Sequence, residues 1–333
     1  MDYSTLIILG IIVLAYAFDF INGFHDAGNA IATIVATNVL TPRQAVCWAA
    51  FFNFIAFAFF NLMVANTIGK GIIEPGIITP TLIFSALIGA ISWNLITWYF
   101  GLPSSSSHAL IGGLAGAAIV HGGFATLQSA GFLKVAFGIF ITPVLGLLAG
   151  ALIGAILARY FKTGEDKQVN RWFKIFQLAS SALLSLAHGG NDAQKTMGII
   201  TALLMSAAWL DGPFHVPLWV VISCHLMISL GTLCGGWRIV RTMGSGITKL
   251  NPMRGCAAET GAAAIILAST EGGIPVSTTQ TVTGSIAGVG LSNTASGTHW
   301  RLIKVIFIAW ILTIPAAGLV AAGIMALIRA CNG

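Results

Sequence analysis

The sequence predicts an all-α integral membrane protein made of two repeats of inverted topology, with broken helices and re-entrant hairpins. The first observation is composition: 56% of the 333 residues are hydrophobic and 8% are charged, whereas soluble domains carry about 25% charged residues. The second is a pair of polar, glycine-containing motifs inside long apolar segments. The third is a pair of Ser- and Thr-rich runs that follow these motifs in the same order.

The polar motifs are the strongest functional signal. Residues 22–29 read Asn-Gly-Phe-His-Asp-Ala-Gly-Asn and residues 188–195 read His-Gly-Gly-Asn-Asp-Ala-Gln-Lys, so an offset of 166 places Asp192 on Asp26. Polar side chains at membrane depth are costly and usually functional. The accompanying glycines predict a helix interrupted at each motif, which a membrane tolerates only against protein or a water-filled cavity.

The hydroxyl-rich runs lie within later apolar stretches. Residues 103–108 read Pro-Ser-Ser-Ser-Ser-His, and an offset of 172 places them on residues 275–280, which read Pro-Val-Ser-Thr-Thr-Gln. Since proline interrupts a helix, each run is predicted to form the tip of a re-entrant hairpin. Two kinds of polar segment, each present twice in the same order, indicate an internal duplication.

Apolar segments long enough to span a membrane, which takes about 20 residues, occupy equivalent places in the two halves. They are 4–37, 45–65, 77–121, 132–158, 175–210, 216–235, 257–291 and 302–328. We therefore predict a first membrane repeat at 1–158 and a second, inverted repeat at 175–333. The most polar segment, 159–174, is predicted to be a short cytoplasmic linker.

The distribution of basic residues predicts the orientation. If each half contains three crossings and one re-entrant hairpin, an N-terminus outside the cell places most basic residues in the cytoplasm, as the positive-inside rule requires. These residues are Arg43, Arg159, Lys162, Lys167, Arg171, Lys174, Arg238, Arg241, Lys249, Arg254, Arg301 and Lys304. An odd number of crossings inverts the second half, an arrangement typical of secondary transporters with a midplane site. The net charge of +6 is thus a topology signal and does not indicate a nucleic acid partner.

The hairpin tips predict a site for an oxyanion. Each tip precedes a helix N-terminus, where unpaired N–H groups and a positive dipole end favour an anion. Two tips entering from opposite faces could hold one tetrahedral anion between them. Ordinary N-capping by Ser is the simpler alternative. The candidate hydroxyls are Ser105, Ser106, Ser107, Ser277, Thr278 and Thr279.

Asp26 and Asp192 need a separate interpretation, because a bare carboxylate repels an oxyanion. They could bind a cation such as Na⁺ together with amide oxygens of Asn29 and Asn191, since hard cations take oxygen ligands. They could instead accept a hydrogen bond from a protonated anion, which favours phosphate over sulfate. A third interpretation is that each Asp caps a half-helix.

Further titratable groups lie near these motifs. Three histidines could carry a proton near neutral pH, although a structural role is the simpler interpretation: His25, His108 and His188. Lys195 could neutralise Asp192 or attract the anion. Glu259 has no carboxylate counterpart in the first hairpin, and it is a candidate for a cation or proton group or for a snorkelling helix-end residue.

With these motifs the chain resembles the inorganic phosphate transporter family, the PiT permeases, over essentially its whole length. The resemblance implies a symporter of a bacterial or archaeal cytoplasmic membrane that imports inorganic phosphate with Na⁺ or H⁺ and needs no cofactor. The family's acidic and amide positions map to Asp26, Asn29, Asn191 and Asp192, and its hydroxyl tips map to 105–107 and 277–279.

Some positions depart from the family's pattern. His25 stands where the family often has Asn, Lys195 stands where an Asn could sit, and Gln280 replaces the tip histidine of the second half. The predicted phosphate ligands are the tip hydroxyls together with Asn29, Asn191 and Lys195. The predicted partners are phosphate and membrane lipid, and both a monomer and a homodimer remain open.

Other functions compete with this prediction. A sulfate or other oxyanion permease would keep the same fold. An intramembrane protease could use the two aspartates as a pair sharing a proton, or Ser105 and His108 as nucleophile and base. A hydrolase needs one site with unlike roles, however, so the duplication of both motifs predicts that the protein is not an enzyme. A passive channel is the third alternative.

Overall fold

The computed structural model describes residues 3–161, 167–291 and 297–332, and within these ranges the main elements are twelve α-helices. In chain order they are α1 Tyr3–Ala36, α2 Pro42–Ile55, α3 Met63–Gly71, α4 Pro80–Tyr99, α5 Ser106–Gly122, α6 Ser129–Tyr160, α7 Lys167–Ser206, α8 Leu218–Cys234, α9 Trp237–Gly246, α10 Pro252–Glu271, α11 Thr278–Leu291 and α12 Trp300–Asn332.

The two halves repeat the same order of helices. An offset of 172 carries the bounds of α4 onto those of α10, and it carries the first residue of α5 onto the first residue of α11. The packing is reciprocal: α5 packs against α12 as α11 packs against α6, and α1 packs against α8 as α7 packs against α2. The hairpin of each half therefore rests on the last helix of the other half. These features confirm an all-helical fold built from a repeat.

The hairpins are present at the predicted places. A loop at 100–105 separates α4 from α5, and a loop at 272–277 separates α10 from α11. Thr79 and Asn251 occupy equivalent positions and cap α4 and α10, each accepting a hydrogen bond from a backbone N–H of the first helical turn. A proline follows each cap, where its missing N–H costs nothing.

The predicted interruptions at 22–29 and 188–195 are wrong, because α1 and α7 run unbroken through both motifs. The glycines instead admit neighbouring backbones. A Cβ atom at Gly23 would lie 2.0 Å from the carbonyl oxygen of Ile228 in α8, and one at Gly189 would lie 2.6 Å from a carbonyl oxygen of α2. Small residues of this kind let membrane helices approach closely. The motif glycines therefore serve packing.

Breaks occur in the helices that follow the motifs, one within the predicted span 45–65 and one at the end of the predicted span 216–235. The predicted span 45–65 covers most of α2 and the first residues of α3, and these two helices are bent by 81° relative to each other. The predicted span 216–235 covers α8, which is bent by 71° relative to α9. Gly235 adopts φ +67° at the second bend, a conformation that favours glycine. The sequence correctly predicts broken helices but assigns them to the wrong positions.

Four described helices are long and apolar enough to cross a membrane, namely α1, α4, α6 and α12, and each bent pair would add one crossing. Helix α6 ends at Tyr160 and α7 begins at Lys167, so both extend into the predicted linker at 159–174. Residues 162–166 of that linker, including Lys162, lie outside the described residues. The division into repeats and the orientation stay predictions.

Candidate functional site

The two hairpin tips meet inside the protein, beside the polar motifs of α1 and α7. Every candidate hydroxyl at 105–107 and 277–279 is at most 4% exposed. Ser107 Oγ donates to the carbonyl oxygen of Val276 at 3.2 Å, so one tip contacts the other directly. Opposed helix N-termini with buried hydroxyl groups between them suit a tetrahedral anion.

The tip hydroxyls divide into two sets. Ser105 accepts a hydrogen bond from the backbone N–H of His108 at 3.2 Å, and Ser277 accepts one from the backbone N–H of Gln280 at 3.3 Å. These two are N-caps, as the simpler interpretation holds. The other four hydroxyls contact side chains of the motifs or backbone of the opposite tip: Ser106, Ser107, Thr278 and Thr279.

In the first half, the carboxylate of Asp26 contacts a neighbouring side chain of α1 and a hydroxyl of the first hairpin tip. Nδ1 of His25 lies 2.7 Å from Asp26 Oδ1, and Ser106 Oγ donates to the same oxygen at 3.3 Å. The other ring nitrogen of His25 lies 3.0 Å from Thr97 Oγ1, which in turn lies 2.8 Å from Ser104 Oγ. A chain of polar contacts therefore connects Asp26 to the first hairpin.

In the second half, Asp192 carries a full buried ion pair. Lys195 Nζ donates to Asp192 Oδ1, and the ammonium also donates to Ser107 Oγ and, at 2.9 Å, to the carbonyl oxygen of Val276. His188 Nε2 lies 3.2 Å from Asp192 Oδ2, and Thr278 Oγ1 donates to that oxygen at 3.0 Å. The pair satisfies the requirement that a buried charge be neutralised.

The two halves share one location. Ligand atoms of Asp26, His188 and Asp192 all lie within 4.8 Å of one another. Asn29 Nδ2 donates to Thr279 Oγ1 of the opposite tip at 2.9 Å, just as Lys195, its equivalent, reaches the first tip. In each polar motif, the aspartate contacts the hairpin tip of the same half. The last residue of the motif, Asn29 or Lys195, contacts the hairpin tip of the other half.

Each polar motif also contains an asparagine whose side-chain oxygen is unsatisfied among the described residues. Within the described part of the chain, Oδ1 of Asn29 and Oδ1 of Asn191 are buried without a hydrogen-bond partner. The amide nitrogen of Asn191 is engaged, donating to Thr270 Oγ1 at 2.8 Å. Leaving such an oxygen unsatisfied costs about 1–3 kcal/mol. Carboxylate and amide oxygens together are the donor set of a hard cation.

Two predicted residues contact each other across the repeat. Nδ1 of His108 lies 3.4 Å from the side-chain nitrogen of Gln280, which is its equivalent under the offset of 172. The contact places both side chains where the two hairpins face each other. No hydrogen bond of the described residues links the His108 side chain to either aspartate.

Glu259 lies in a separate buried cluster. Its carboxylate accepts from Thr33 Oγ1 at 2.6 Å, from Gln177 Nε2 at 2.9 Å and from Ser180 Oγ at 2.5 Å. The residues that the repeat makes equivalent to Glu259, Thr33, Gln177 and Ser180 are all apolar, and they are Leu87, Ile199, Ile11 and Leu14. The second half therefore has a buried acid that the repeat does not require.

We expect Glu259→Ala to lower the thermal stability of the detergent-solubilised protein strongly. Three buried donors would lose their acceptor, and each unsatisfied group costs about 1–3 kcal/mol. Glu74→Ala is the control, since Glu74 is exposed, and its melting temperature should match the wild type. Equal melting temperatures for the two variants would show that the cluster does not stabilise the fold.

Several polar neighbours were not predicted from the sequence. Asn53 lies 3.2 Å from His188 Nδ1 and donates to Thr232 at 3.0 Å. Asp19 is fully buried and accepts from Thr196 at 2.9 Å. A lone amide within an apolar segment was an available signal for Asn53. Thr97 carries no such signal, since Thr is common in membrane helices.

Both polar motifs and both hairpins lie within segments that match a known protein family. The model of the phosphate transporter family matches residues 22–166 and 159–321. This chain belongs to the phosphate transporter family. The family is one of transporters, so the protein is not an enzyme, and the intramembrane protease alternative is wrong. Matching the family model twice agrees with the duplicated helices.

Individual relatives support the same assignment. A protein of Rhizobium meliloti (strain 1021), named "Probable low-affinity inorganic phosphate transporter", is 55% identical over 316 residues and 95% of both chains. A protein of Bacillus subtilis (strain 168) with the same name is 43% identical over 95% of both chains. A solved structure named "The sodium-dependent phosphate transporter" matches with a TM-score of 0.87 and 25% identity, covering 97% of this chain and 99% of the other.

Proposed function

We propose that this protein imports inorganic phosphate across a bacterial cytoplasmic membrane by symport with Na⁺ or H⁺. The observation that carries the proposal is the convergence of both aspartate motifs and both hydroxyl tips on one buried location, with ligand atoms of Asp26, His188 and Asp192 within 4.8 Å of one another. The names of the relatives support phosphate as the substrate. The similar solved structure is named as sodium-dependent, which supports Na⁺ as the first cation to test.

The roles of the residues follow from their chemistry. The hydroxyls at 105–107 and 277–279 and the N–H groups behind them bind the phosphate oxygens, assisted by the amides of Asn29 and Asn191. The carboxylates of Asp26 and Asp192, with the free amide oxygens, bind the cation. Positive charge beside these carboxylates lowers their repulsion of the anion, so binding of the cation favours binding of phosphate, and the reverse holds by linkage.

Alternating access is proposed to arise from the repeat. In this proposal the repeats at 1–158 and 175–333 have opposite orientations, the N-terminus lies outside, and the linker at 159–174 lies in the cytoplasm. Because each hairpin rests on the last helix of the other half, movement of one hairpin opens the shared site to one side of the membrane. Inverted repeats around a midplane site are typical of this mechanism.

Uptake of labelled phosphate into proteoliposomes tests the proposal. Na⁺ and H⁺ gradients are imposed separately, each with and without excess sulfate outside. We expect one gradient to drive accumulation above the external concentration, with no effect of sulfate. Accumulation under neither gradient would exclude symport and favour a passive channel, and strong inhibition by sulfate would change the assigned anion.

We expect Ser107→Ala and Thr279→Ala each to raise the phosphate concentration needed for half-maximal uptake. Each removes one hydroxyl from the proposed anion site, and a hydrogen bond to a charged group contributes about 1.5–3 kcal/mol, which corresponds to at least about tenfold. Ser245→Ala, an exposed serine of α9, should leave the half-saturation concentration unchanged. Unaltered half-saturation in both tip variants would place the anion elsewhere.

A further inference from the structure

Lys195 is the residue that distinguishes the second motif most sharply from the first. Its side chain is 1% exposed, and its ammonium contacts three oxygen atoms, from Asp192, Ser107 and the carbonyl group of Val276. A carboxylate, a hydroxyl and a carbonyl oxygen form the kind of oxygen-ligand shell that a hard cation takes. The ammonium therefore occupies a position with the chemistry of a cation site.

The contacts of this ammonium favour neutralisation of Asp192 over a role as a phosphate ligand. An ammonium has three N–H donors and no acceptor, and each of the three oxygens named above takes one donor. The other carboxylate oxygen of Asp192 is engaged by Thr278 and faces His188. Lys195 thus has no donor left for an anion, and its charge acts by neutralising Asp192.

The internal repeat assigns an equivalent position in the first half. The offset of 166 places Lys195 on Asn29 and Asp192 on Asp26. The offset of 172 places Val276 on Ser104 and Ser107 on Thr279. Asn29 is shorter than Lys and brings no charge. Its amide nitrogen is directed to Thr279 at 2.9 Å, and its buried Oδ1 has no partner among the described residues. The first half therefore has the equivalent residues without the ammonium, and the carboxylate of Asp26 is contacted there by His25 and Ser106.

We propose that the Lys195 ammonium is a built-in cation, filling in the second half the position that the transported coupling cation takes in the first half beside Asp26 and Asn29. This inference rests on the proposed phosphate symport and narrows its cation site from both aspartates to Asp26 together with Asn29. Its consequence is that one of the two equivalent positions is permanently occupied. The pair of motifs then exchanges one cation in each transport cycle, whereas a chain with Asn at both positions would exchange two.

The variant Lys195→Asn tests this stoichiometry. Removing the ammonium leaves the Asp192 position open to a free cation, so we expect the dependence of phosphate uptake on the driving cation to steepen. The Hill coefficient, which is limited by the number of sites, should rise from about one to about two. Uptake should be weak at low cation concentration and recover at high concentration. Lys249→Asn, an exposed lysine, is the control and should behave as the wild type.

The reciprocal variant Asn29→Lys keeps the test decisive if Lys195→Asn does not fold. A second ammonium would fill the first-half position as well, so we expect binding of labelled phosphate to the purified protein to lose its dependence on the cation. Retained cation dependence in Asn29→Lys would overturn the proposal. An unchanged Hill coefficient in Lys195→Asn with weakened phosphate binding would also overturn it, because Lys195 would then serve the anion.

Failure of the inference differs from failure of the proposed function. If the wild-type protein accumulates phosphate under neither gradient, symport itself is wrong. If the wild type accumulates phosphate but the two variants leave the cation dependence unaltered, symport stands and only the role of Lys195 is wrong.

Discussion

We expect phosphate uptake to fall at least about 100-fold in the variants Asp26→Asn and Asp192→Asn, because each removes a buried carboxyl group whose hydrogen-bonding partners stay behind. Stranding one partner of a buried ion pair costs about 3–5 kcal/mol. If that free energy is lost from binding of the cation and phosphate, it corresponds to at least about 100-fold, at about 1.4 kcal/mol for each tenfold. For Asp192 the stranded partner is the ammonium of Lys195. For Asp26 the loss removes the carboxylate that is proposed to bind the coupling cation.

The control for these two variants is Asp211→Asn. Asp211 is exposed and lies outside the helices, so its substitution should leave initial uptake rates in proteoliposomes unchanged. All three variants are compared at equal reconstituted amounts, verified by size-exclusion chromatography. Wild-type uptake in a folded Asp26→Asn variant would remove this residue from the proposed mechanism.

The second large effect concerns folding: Gly23→Ala prevents assembly of a stable protein. The added Cβ atom would lie 2.0 Å from the carbonyl oxygen of Ile228, and that oxygen belongs to a helix backbone that cannot move without separating α1 from α8. A substitution that overpacks a helix contact costs about 1–3 kcal/mol when side chains can adjust, and here the obstacle is backbone. We expect aggregated or poorly expressed protein.

Gly10→Ala provides the matched control on the same helix. A Cβ atom at Gly10 meets no atom within 4 Å, and Ala is favoured over Gly in a helix interior by about 1 kcal/mol. This variant should therefore melt at or above the wild-type temperature. A monodisperse Gly23→Ala protein with wild-type melting would contradict the close packing of α1 against α8.

The hairpins could be predicted from the sequence because their signals are local. Each hairpin is marked by a proline after one helix and a run of hydroxyl residues before the next, all within a few residues of sequence. The loops at 100–105 and 272–277 lie where these signals predict them. The duplication was likewise readable, since equivalent polar residues at a fixed offset do not arise from apolar composition.

Whether the helices are broken or continuous at the two polar motifs could not be predicted from local signals. Glycine can break a helix or admit a neighbouring backbone, and the choice depends on a partner far along the chain. For Gly23 that partner is Ile228, and for Gly189 it is Asn53. The sequence around each glycine contains no information on these partners, so a break was the wrong choice. The bend after α2 was missed because the residues between α2 and α3 are mostly apolar, whereas the bend after α8 falls where the predicted span 216–235 ends.

The residues of the candidate site could be predicted from the sequence, but the contacts between them could not. Alignment of the motifs singled out Asp26, Asp192 and Lys195, yet it left open whether Lys195 served the carboxylate or the anion. The contacts that bear on this question join Lys195 to Asp192 and to Ser107, which is 88 residues away in the chain. Only the packing of the two halves brings these groups together.

A structure of the protein in lipid with phosphate and its driving cation tests the central claim most directly. We expect density for one tetrahedral anion between the hydroxyls at 105–107 and those at 277–279, and density for one cation beside Asp26, with Lys195 still bound to Asp192. An anion bound away from both tips, or two separate anions in the two halves, would contradict a single shared site.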